Sequence, residues 1–391
     1  MTRGWDASMV TVVIPTFRQR TSWLARTLTY YSTIGFPFPI LIADSGEPDA
    51  QAANERLVAG LRQSLALDHR RYPQEQDIFG KLADALEAID TPCAVVCGDD
   101  DFLVTNGVAH CVAYLEDHPD VAAVDGREIK LRTAADAKRD QQPRAVIHRQ
   151  VSIDSDSPAV RLQWHWSHYW PTFYCVQRRE GMARTLSLAG EHGANSLFGE
   201  LTQSGLTIIG GKYHNLDTLY LIRHVRHDEL HMPLWHEMVR SPTFQTQTTD
   251  VCRRLAEELG PETGSLDERE QIVRAAFRRF VKPLQRRRSD SASRLVPAIA
   301  VIPRALRKVL FGGGLREALT SPRRFLETCW VERQETQQGE WSLSSLRDPT
   351  SPHFDAFDTI YESFVRWPKG IPANFVSASD QPGPSGSEVE P

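Results

Sequence analysis

A short apolar run that ends in three acids constrains the fold of this 391-residue chain more than any other feature. The run Ala94 to Cys97 has no polar interruption, which is typical of a strand covered on both faces in a parallel sheet. Asp99, Asp100 and Asp101 follow it directly after Gly98. Because ligands bind outside the carboxyl ends of the strands in open parallel sheets, we expect this acid triplet at a ligand-binding edge.

The acid triplet needs a physical explanation, because adjacent carboxylates repel one another and are costly to remove from water. A hard divalent cation would lower that cost, since Mg²⁺ prefers carboxylate oxygens together with the phosphate oxygens of a substrate. Acid-rich turns and helix caps in solvent are also common. The triplet by itself leaves a metal site and a solvated turn both open.

Composition restricts the class of protein. Hydrophobic residues make up 41% of the chain and charged residues 24%, as in globular proteins. No apolar run approaches the ~20 residues of a membrane span, and the first residues lack the apolar core of a signal peptide, so we expect a cytoplasmic protein. The six cysteines have no framework spacing, which favours reduced thiols over disulfides or a zinc site.

Charge is distributed unevenly along the chain. Residues 271–330 contain 14 Lys and Arg but only 3 Asp and Glu, a formal charge of +11, which leaves −16 on the remainder of a chain whose net charge is −5. The segment 265–288 has helical spacing, and such a basic amphipathic surface could contact an anionic membrane peripherally at its inner face. Helices with solvated arginines are the alternative, and nucleic acid is not expected because no recognised motif accompanies the charge.

The residues before the triplet predict a βαβ unit. A strand at Val10 to Ile14, a helix from about Thr21 and a strand at Pro39 to Ala43 follow one another, and Asp44 stands at the end of the second strand, where an acid can bond a ribose or a base. Residues 50–67 are helical in pattern. The next helix, Phe79 to Ile89, carries Lys81 near its start, where this side chain could reach a phosphate or stay solvated.

The residues after the triplet are less regular. We expect a helix over 106–117, a strand over 121–124, and a mobile loop over 132–150 that is suited to a lid. The aromatic stretch Trp164 to Tyr174 could stack on a sugar or base, or could fill the core. Glu200 opens a predicted short helix that ends at Gly205, after which 206–209 returns as a strand.

Four segments, in this order, resemble the motifs of the family 2 glycosyltransferases, which have the GT-A nucleotide-sugar-binding fold. The segments are Thr11 to Phe17, Ile40 to Ser45, Gly98 to Phe102 and Phe198 to Leu201. The Gly-Asp-Asp-Asp-Phe sequence and the segment Pro171 to Tyr174 are more narrowly similar to bacterial transferases associated with surface polysaccharides. The resemblance covers about residues 8 to 230.

The resemblance implies specific roles for residues in these motifs. Asp44 would contact the nucleotide, and Asp99 to Asp101 would form the acidic motif that binds Mg²⁺ or Mn²⁺ and the donor diphosphate, with Asp99, Asp101 and a late histidine, His224, as metal ligands. Glu200 would be the catalytic base, although Leu201 stands where family members often have Asp. The other residues predicted to lie against the donor are Pro15, Thr16, Lys81, Asp100 and Arg223.

The sequence therefore predicts an α/β protein with a GT-A domain over 1–235, a mostly helical, basic region over 236–376 and a disordered tail over 377–391. The predicted activity is a metal-dependent, inverting transfer of a sugar from a nucleotide-sugar donor to a hydroxyl of a glycan or lipid-linked acceptor, in surface polysaccharide biosynthesis. One alternative is a phosphohydrolase resembling the haloacid dehalogenases, in which Leu103 would replace an expected Thr. The other is a protein that binds a nucleotide or sugar without catalysis.

Overall fold

The computed structural model describes residues 6–132, 144–191, 196–225, 242–286, 340–341, 343–367 and 370. Within these ranges the strands are β1 (Val10–Arg18), β2 (Ile40–Gly46), β3 (Leu67–Arg71), β4 (Cys93–Val96), β5 (Phe102–Leu103), β6 (Val121–Arg132), β7 (Arg144–His148), β8 (Val176–Arg178), β9 (Lys212–His224) and β10 (Glu340–Trp341).

The helices flank these strands. They are α1 (Thr21–Ile34), α2 (Pro48–Leu61), α3 (Ile78–Glu87), α4 (Thr105–Asp117), α5 (Pro158–Ser167), α6 (Arg179–Gly190), α7 (Ser196–Gly210), α8 (Phe244–Glu258), α9 (Leu266–Arg286), α10 (Leu343–Leu346) and α11 (Phe354–Arg366). Within the described residues, no helix combines the length and apolar character that crossing a bilayer requires.

One mixed sheet organises the strands. Its parallel half has the order β3-β2-β1-β4, with Val12 opposite Ile40 and Thr11 opposite Ala94. Beyond β4 the sheet continues through β8, β6, β7 and β10 by antiparallel pairing, while β9 runs parallel to β6 and pairs with β5. The predicted α/β class, a central sheet with flanking helices, is confirmed, and the predicted parallel βαβ unit forms its centre.

Burial on both faces explains why β4 is apolar without interruption and why β1 is apolar from Val10 to Ile14 apart from the buried Thr11. Val12 of β1 belongs to the apolar cluster that includes Leu24 of α1, whereas its neighbour Val13 belongs to the cluster on the other face that includes Leu82 of α3. Successive side chains of a strand point to opposite faces, so a strand with two covered faces has no side chain that faces solvent. At the carboxyl end of β1 the apolar clusters no longer cover the two faces, and the polar residues of the candidate site begin there.

A second apolar core lies among helices. Leu162 of α5, Leu201 of α7, Leu255 of α8 and Phe277 of α9 are buried together in it. The helices that begin the predicted C-terminal region thus share a core with helices of the predicted first domain, and the boundary at 235 stays a prediction. The tail over 377–391 and residues 287–330 of the basic segment lie outside the described residues.

Three local predictions are wrong. Gly205 does not end a helix, because α7 continues to Gly210; its missing side chain instead permits close packing, since a Cβ there would lie 2.4 Å from Leu255 Cδ2. Residues 206–209 are therefore helical and not a strand. The predicted helix over 50–67 ends at Leu61, and Leu67 begins β3. Part of the predicted loop over 132–150 is strand β7, and residues 133–143 lie outside the described ranges.

Candidate active site

The acid triplet lies where the parallel half of the sheet ends, and arginines surround it. Asp99, which is 2% exposed, accepts hydrogen bonds from Arg20 Nε at 2.8 and 2.9 Å to its two oxygens and from Thr16 Oγ1 at 2.7 Å. Asp100 lies 3.2 Å from Arg20. Parallel pairing of β1 with β4 brings Thr16 and the start of α1 to the end of β4, and this positions the Arg20 guanidinium.

Asp101 is held from the other side of the sheet. Its Oδ1 accepts the backbone N–H of His224 at 2.9 Å, and its Oδ2 lies 3.5 Å from Arg223 Nε. Pairing of β5 with β9 places Phe102 opposite Ile222, so the two residues that follow Ile222 lie beside the acids. Burial raises the pKa of Asp101 to about 7; the Asp100 charge acts in the same direction and the Arg223 charge opposes it.

The predicted metal ligands do not fit a divalent cation as they are arranged. The oxygens of Asp99 are bound to a guanidinium, and the Nδ1 of His224 lies 3.3 Å from Arg26 Nη2 while its ring packs against Trp23 and Phe364. A divalent cation bound here would have to displace the Arg20 guanidinium from Asp99, and the positive charge of that guanidinium would repel it. Over the described ranges, no group of three His, Cys, Asp or Glu side chains is arranged to hold a metal ion.

A cavity of about 570 Å³ opens beside Gly98 at the carboxyl ends of β1 and β2. This volume is typical of a small-molecule site. Its wall is largely apolar, with polar groups contributed by several separate parts of the chain. The lining residues that matter most for the chemistry are Pro15, Arg18, Ser45, Lys81, Tyr174 and Glu200.

Lys81 is a buried cation in the cavity wall. The residue is 1% exposed. Its Nζ donates to the carbonyl oxygen of Thr16 at 3.1 Å and to Ser45 Oγ at 2.7 Å. The side chain of Asp77 caps α3 by accepting from Phe79 and Gly80, which turns the first helical turn toward the sheet. The solvated alternative for Lys81 is wrong. Burial lowers its pKa to about 8, and the charges of Asp44 and Asp99 oppose that shift.

Glu200 is a buried carboxylate in the same wall. Tyr169 Oη donates to its Oε1 at 2.8 Å, and burial raises the pKa of Glu200 although this hydrogen bond lowers it. Phe280 of α9 packs edge-on against the Tyr169 ring at 5.0 Å and holds it in place. The neighbouring Leu201 is fully buried in the helical core, so a second acid at that position would lie among apolar side chains.

Asp44 does not line the cavity. It is fully buried, and its oxygens accept hydrogen bonds from the Gly46 amide at 2.7 Å, from Asn54 Nδ2 at 2.9 Å and from His69 Nε2 at 3.0 Å. Burial would raise its pKa, but the hydrogen bonds from His69 and Asn54 outweigh burial and the pKa is lowered. The adjacent Ser45 is the residue of this strand end that reaches the cavity.

Thr16 and Arg223 also lie behind the cavity wall, whereas Pro15 forms part of it. The guanidinium of Arg223 stacks on the Tyr174 ring at 4.4 Å and lies 3.6 Å from Glu128, in addition to its contact with Asp101. Tyr174 thus separates this arginine from the cavity. His227 and His231, the other late histidines of the sequence, lie outside the described residues.

The aromatic stretch 164–174 divides between the two predicted roles. Phe173 and Tyr174 line the cavity, and Tyr169 binds Glu200. Trp166 and Trp170 are buried in apolar clusters, as the core-filling alternative predicted. Spacing alone could not separate these roles, because all of these rings lie on one helix end and the loop after it.

Sequence reasoning found Arg223 but missed three other arginines at the site. Arg20 and Arg26 contact the acid loop, and Arg18 lines the cavity with a backbone φ of 53°, a left-handed conformation that non-glycine residues rarely adopt. The signal that could have found two of them is the position of Arg18 at the end of β1 and of Arg20 just beyond it, since the loops at this edge of a parallel sheet meet the loop after β4.

No protein-family model matches the chain, and a search of curated proteins finds no significant match. Among solved structures, S. aureus TarS 1–349 matches with a TM-score of 0.44 and 12% identity over 74% of this chain and 75% of that chain. The same fragment in complex with UDP-GlcNAc matches with a TM-score of 0.44 and 12% identity over 70% of this chain and 72% of that one. The mannosyltransferase PcManGT from Pyrobaculum calidifontis, in complex with GDP-Man and Mn²⁺, matches with a TM-score of 0.39 and 15% identity over 86% and 92%.

These structural similarities are to glycosyltransferases of the GT-A fold, the class that the sequence motifs resemble. The identities are too low and the TM-scores too small to transfer a donor, an acceptor or a mechanism. The α/β architecture stated above rests on the strand order and register of this chain.

Proposed function

We propose that this protein is an inverting glycosyltransferase that moves a sugar from a nucleotide-sugar donor to a hydroxyl of a glycan or lipid-linked acceptor. The observation that carries the proposal is that a buried carboxylate, Glu200, and a buried cation, Lys81, both line one cavity. Sugar transfer needs a base for the acceptor and a positive charge for the leaving diphosphate. The cavity provides both within a largely apolar enclosure.

Glu200 is the proposed general base. The acceptor hydroxyl oxygen attacks the anomeric carbon, its proton passes to Glu200, and the bond from that carbon to the diphosphate oxygen breaks, with the electron pair leaving on the diphosphate. Burial raises the pKa of Glu200 toward the working pH, which suits a base. Because Tyr169 binds Oε1, we assign the proton to Oε2.

Lys81 is the proposed partner of the diphosphate. Two of its N–H groups bind Thr16 and Ser45, and these contacts aim the ammonium at a fixed point in the cavity wall. A positive charge preorganised in a buried site stabilises developing negative charge without reorganisation. In this proposal Asp44 acts indirectly, since its three hydrogen bonds fix the strand end that carries Ser45.

The donor is proposed to be a nucleoside diphosphate sugar. TarS binds UDP-GlcNAc and PcManGT binds GDP-Man with Mn²⁺, so these two donors are the first to test. Phe173 and Tyr174 offer ring faces to a base or a sugar. A role in surface polysaccharide synthesis at the inner face of a membrane, and contact of residues 271–330 with anionic lipid, stay predictions from the sequence.

A ligand screen tests the proposal. Thermal unfolding is measured with UDP-GlcNAc, GDP-Man and other nucleotide sugars, with and without Mn²⁺, because a ligand that binds only the folded state stabilises it increasingly as its concentration exceeds its Kd. We expect one nucleotide class to raise the Tm and to release its nucleoside diphosphate on incubation with an acceptor glycan. Absence of stabilisation by every nucleotide sugar would refute the proposal.

The same screen separates the alternatives. A nucleotide that binds but is never turned over with any acceptor or with water would indicate a non-catalytic binding protein. A phosphorylated Asp99 or Asp101, trapped from a phosphate ester, would indicate a phosphohydrolase. The phosphohydrolase has no observation in its favour, since both acids already contact arginines.

A further inference from the structure

The acid triplet of this chain is neutralised from within. Asp99 and Asp100 contact Arg20, and Asp101 lies beside Arg223. A third arginine, Arg26, donates to the carbonyl oxygen of Asp100 and is itself 1% exposed, enclosed by the rings of Trp23, Phe102 and Phe364. Two of these guanidinium groups thus pair with carboxylates of the triplet, and the third binds the backbone of the same loop.

A bound divalent cation would have little to gain at such a place. Guanidinium groups that already bind carboxylate oxygens provide the charge compensation that a metal would otherwise provide, and like charges close together cost free energy in a buried site. His224 offers no replacement, because its Nδ1 faces Arg26 and its ring is packed between two aromatic side chains. The positive charges of the arginines thus offset the negative charges of the acid triplet, as in an ion-pair cluster with a structural role.

The cavity wall, in contrast, presents cations directly to a ligand. Lys81 reaches it from α3, and Arg18 reaches it from the end of β1. Arg18 is exposed, and the interaction seen for its guanidinium is with the Phe17 ring, 5.8 Å from the centroid. Its φ of 53° is a left-handed conformation, so its side chain leaves the backbone in a different direction from that of an ordinary strand residue. Such a strained conformation persists only where the surrounding structure stabilises it.

We propose that the diphosphate of the donor is held by Lys81 and Arg18 without a divalent cation, because arginines already occupy the acid triplet. The inference rests on the proposed function and deepens it. It states how the leaving diphosphate is neutralised: two protein cations take the place of the metal, and no metal is consumed or released in the binding step. It also gives Arg20 a separate role, as the internal counter-ion of Asp99 and Asp100.

Calorimetric titration of the full chain with UDP and with GDP, in excess EDTA and then in Mn²⁺, tests the inference. We expect one of the two to bind in EDTA, with a Kd that Mn²⁺ changes by less than about threefold. Binding that requires Mn²⁺ would overturn the inference and leave the proposed transferase standing. Absence of binding under both conditions would overturn the inference and also count against the proposed function.

Two variants sharpen the test. Arg18→Gln removes a charge while keeping a non-glycine residue at the strained position, and we expect the Kd in EDTA to rise by about tenfold, as for the loss of a charged hydrogen bond. Arg62→Gln, on an exposed residue at the end of α2, is the matched control and should leave the Kd unchanged. An unchanged Kd for Arg18→Gln would remove Arg18 from the site.

Arg20→Gln gives the more distinctive result. Without this guanidinium, Asp99 and Asp100 lose their counter-ion, so a divalent cation becomes favourable there. We expect nucleotide binding by this variant to become Mn²⁺-stimulated, whereas the wild type is indifferent to Mn²⁺. If the variant is folded by circular dichroism and equally indifferent to Mn²⁺, the counter-ion role is wrong. If the variant does not fold, the wild-type comparison and Arg18→Gln decide.

Discussion

Two sets of buried carboxylates differ in what surrounds them. Asp99 at the end of β4 is bound by a guanidinium and a hydroxyl, whereas Glu200 of α7 is bound by one neutral hydroxyl, that of Tyr169. Burial raises the pKa of both groups, but the opposing hydrogen bond comes from a cation at Asp99 and from a neutral donor at Glu200.

The difference shows that an acidic motif does not by itself identify the reactive acid. A carboxylate held by arginine has its oxygens occupied, so a substrate hydroxyl cannot readily bind to it. A carboxylate that is buried beside a single neutral donor in a cavity wall can accept a proton from such a hydroxyl. We therefore assign electrostatic and structural work to the triplet and proton transfer to Glu200.

The largest expected effect is that of Glu200→Gln. Removing the general base should lower the rate of transfer by about 10²- to 10⁴-fold while the donor Kd stays within a factor of about two. Initial rates and titration with the donor measure the two quantities. Glu180→Gln, at a side chain that is 89% exposed on α6, is the control and should keep the wild-type rate. A normal rate for Glu200→Gln would end the distinction between the two sets of acids.

Lys81→Met tests the cation that faces the cavity. The apolar side chain fills similar space but cannot bind a phosphate, so the Kd for the nucleoside diphosphate should rise by about 10- to 100-fold. Calorimetry measures this change, and circular dichroism checks the fold. Lys212→Met removes a lysine that pairs with Asp120 and Asp156 at the start of β9, and it should leave binding unchanged. Equal Kd values for the two variants would contradict the assignment.

Tyr169→Phe tests the neutral donor. The Tyr169 hydroxyl lowers the pKa of Glu200, so its removal should raise that pKa further. Because the base must be deprotonated, the acidic limb of the pH profile of kcat/KM should move to higher pH, with the donor Kd unchanged. Tyr114→Phe, outside this cavity, should not move the limb. A shift to lower pH would show that the sign of the interaction is wrong.

The smallest expected effect is on the pH dependence of stability, and it comes from Asp125, which does not line the cavity. Burial raises its pKa to about 7, although hydrogen bonds from Tyr213 and Asn215 oppose the shift. The folded state therefore favours the protonated form, so the stabilisation is present below the unfolded pKa of about 4 and is lost as the pH rises toward 7.

The pH dependence of unfolding measures this contribution. The free energy of unfolding of the wild type, relative to Asp125→Asn, should fall by about 1–3 kcal/mol between pH 4 and pH 8. Urea titrations at several pH values give this difference. Asp90→Asn, at an exposed position, should show no such trend. A difference that rises with pH would mean that the charged form of Asp125 is the one stabilised in the fold.

Local patterns predicted the parts of the fold that depend on local sequence. The apolar runs gave the central strands because both faces of the sheet are covered, and the spacing of Leu82 and Leu86 gave α3. Gly205 misled the prediction because a glycine that ends one helix can also allow another helix to approach, and only the position of Leu255 decides between these. The extent of β6 and β7 depended on their pairing with each other.

The sequence predicted where the candidate site lies in the fold, but not which side chains contact one another there. The motifs located the end of β4 and Glu200, and the position of Lys81 near a helix start suggested that it could reach the same edge. The contact of Arg20 with Asp99 joins residues 79 positions apart, so no local pattern contains it. The same holds for Asp44, whose partners Asn54 and His69 come from α2 and β3 and withdraw it from the cavity.

A crystal structure of the chain with the nucleoside diphosphate selected by the ligand screen is the most direct test of the central claim. The account predicts a phosphate oxygen about 3 Å from Lys81 Nζ, with Glu200 in the same cavity. A nucleotide seated elsewhere, for instance in the 360 Å³ hollow beside His110 and Tyr114, would contradict it.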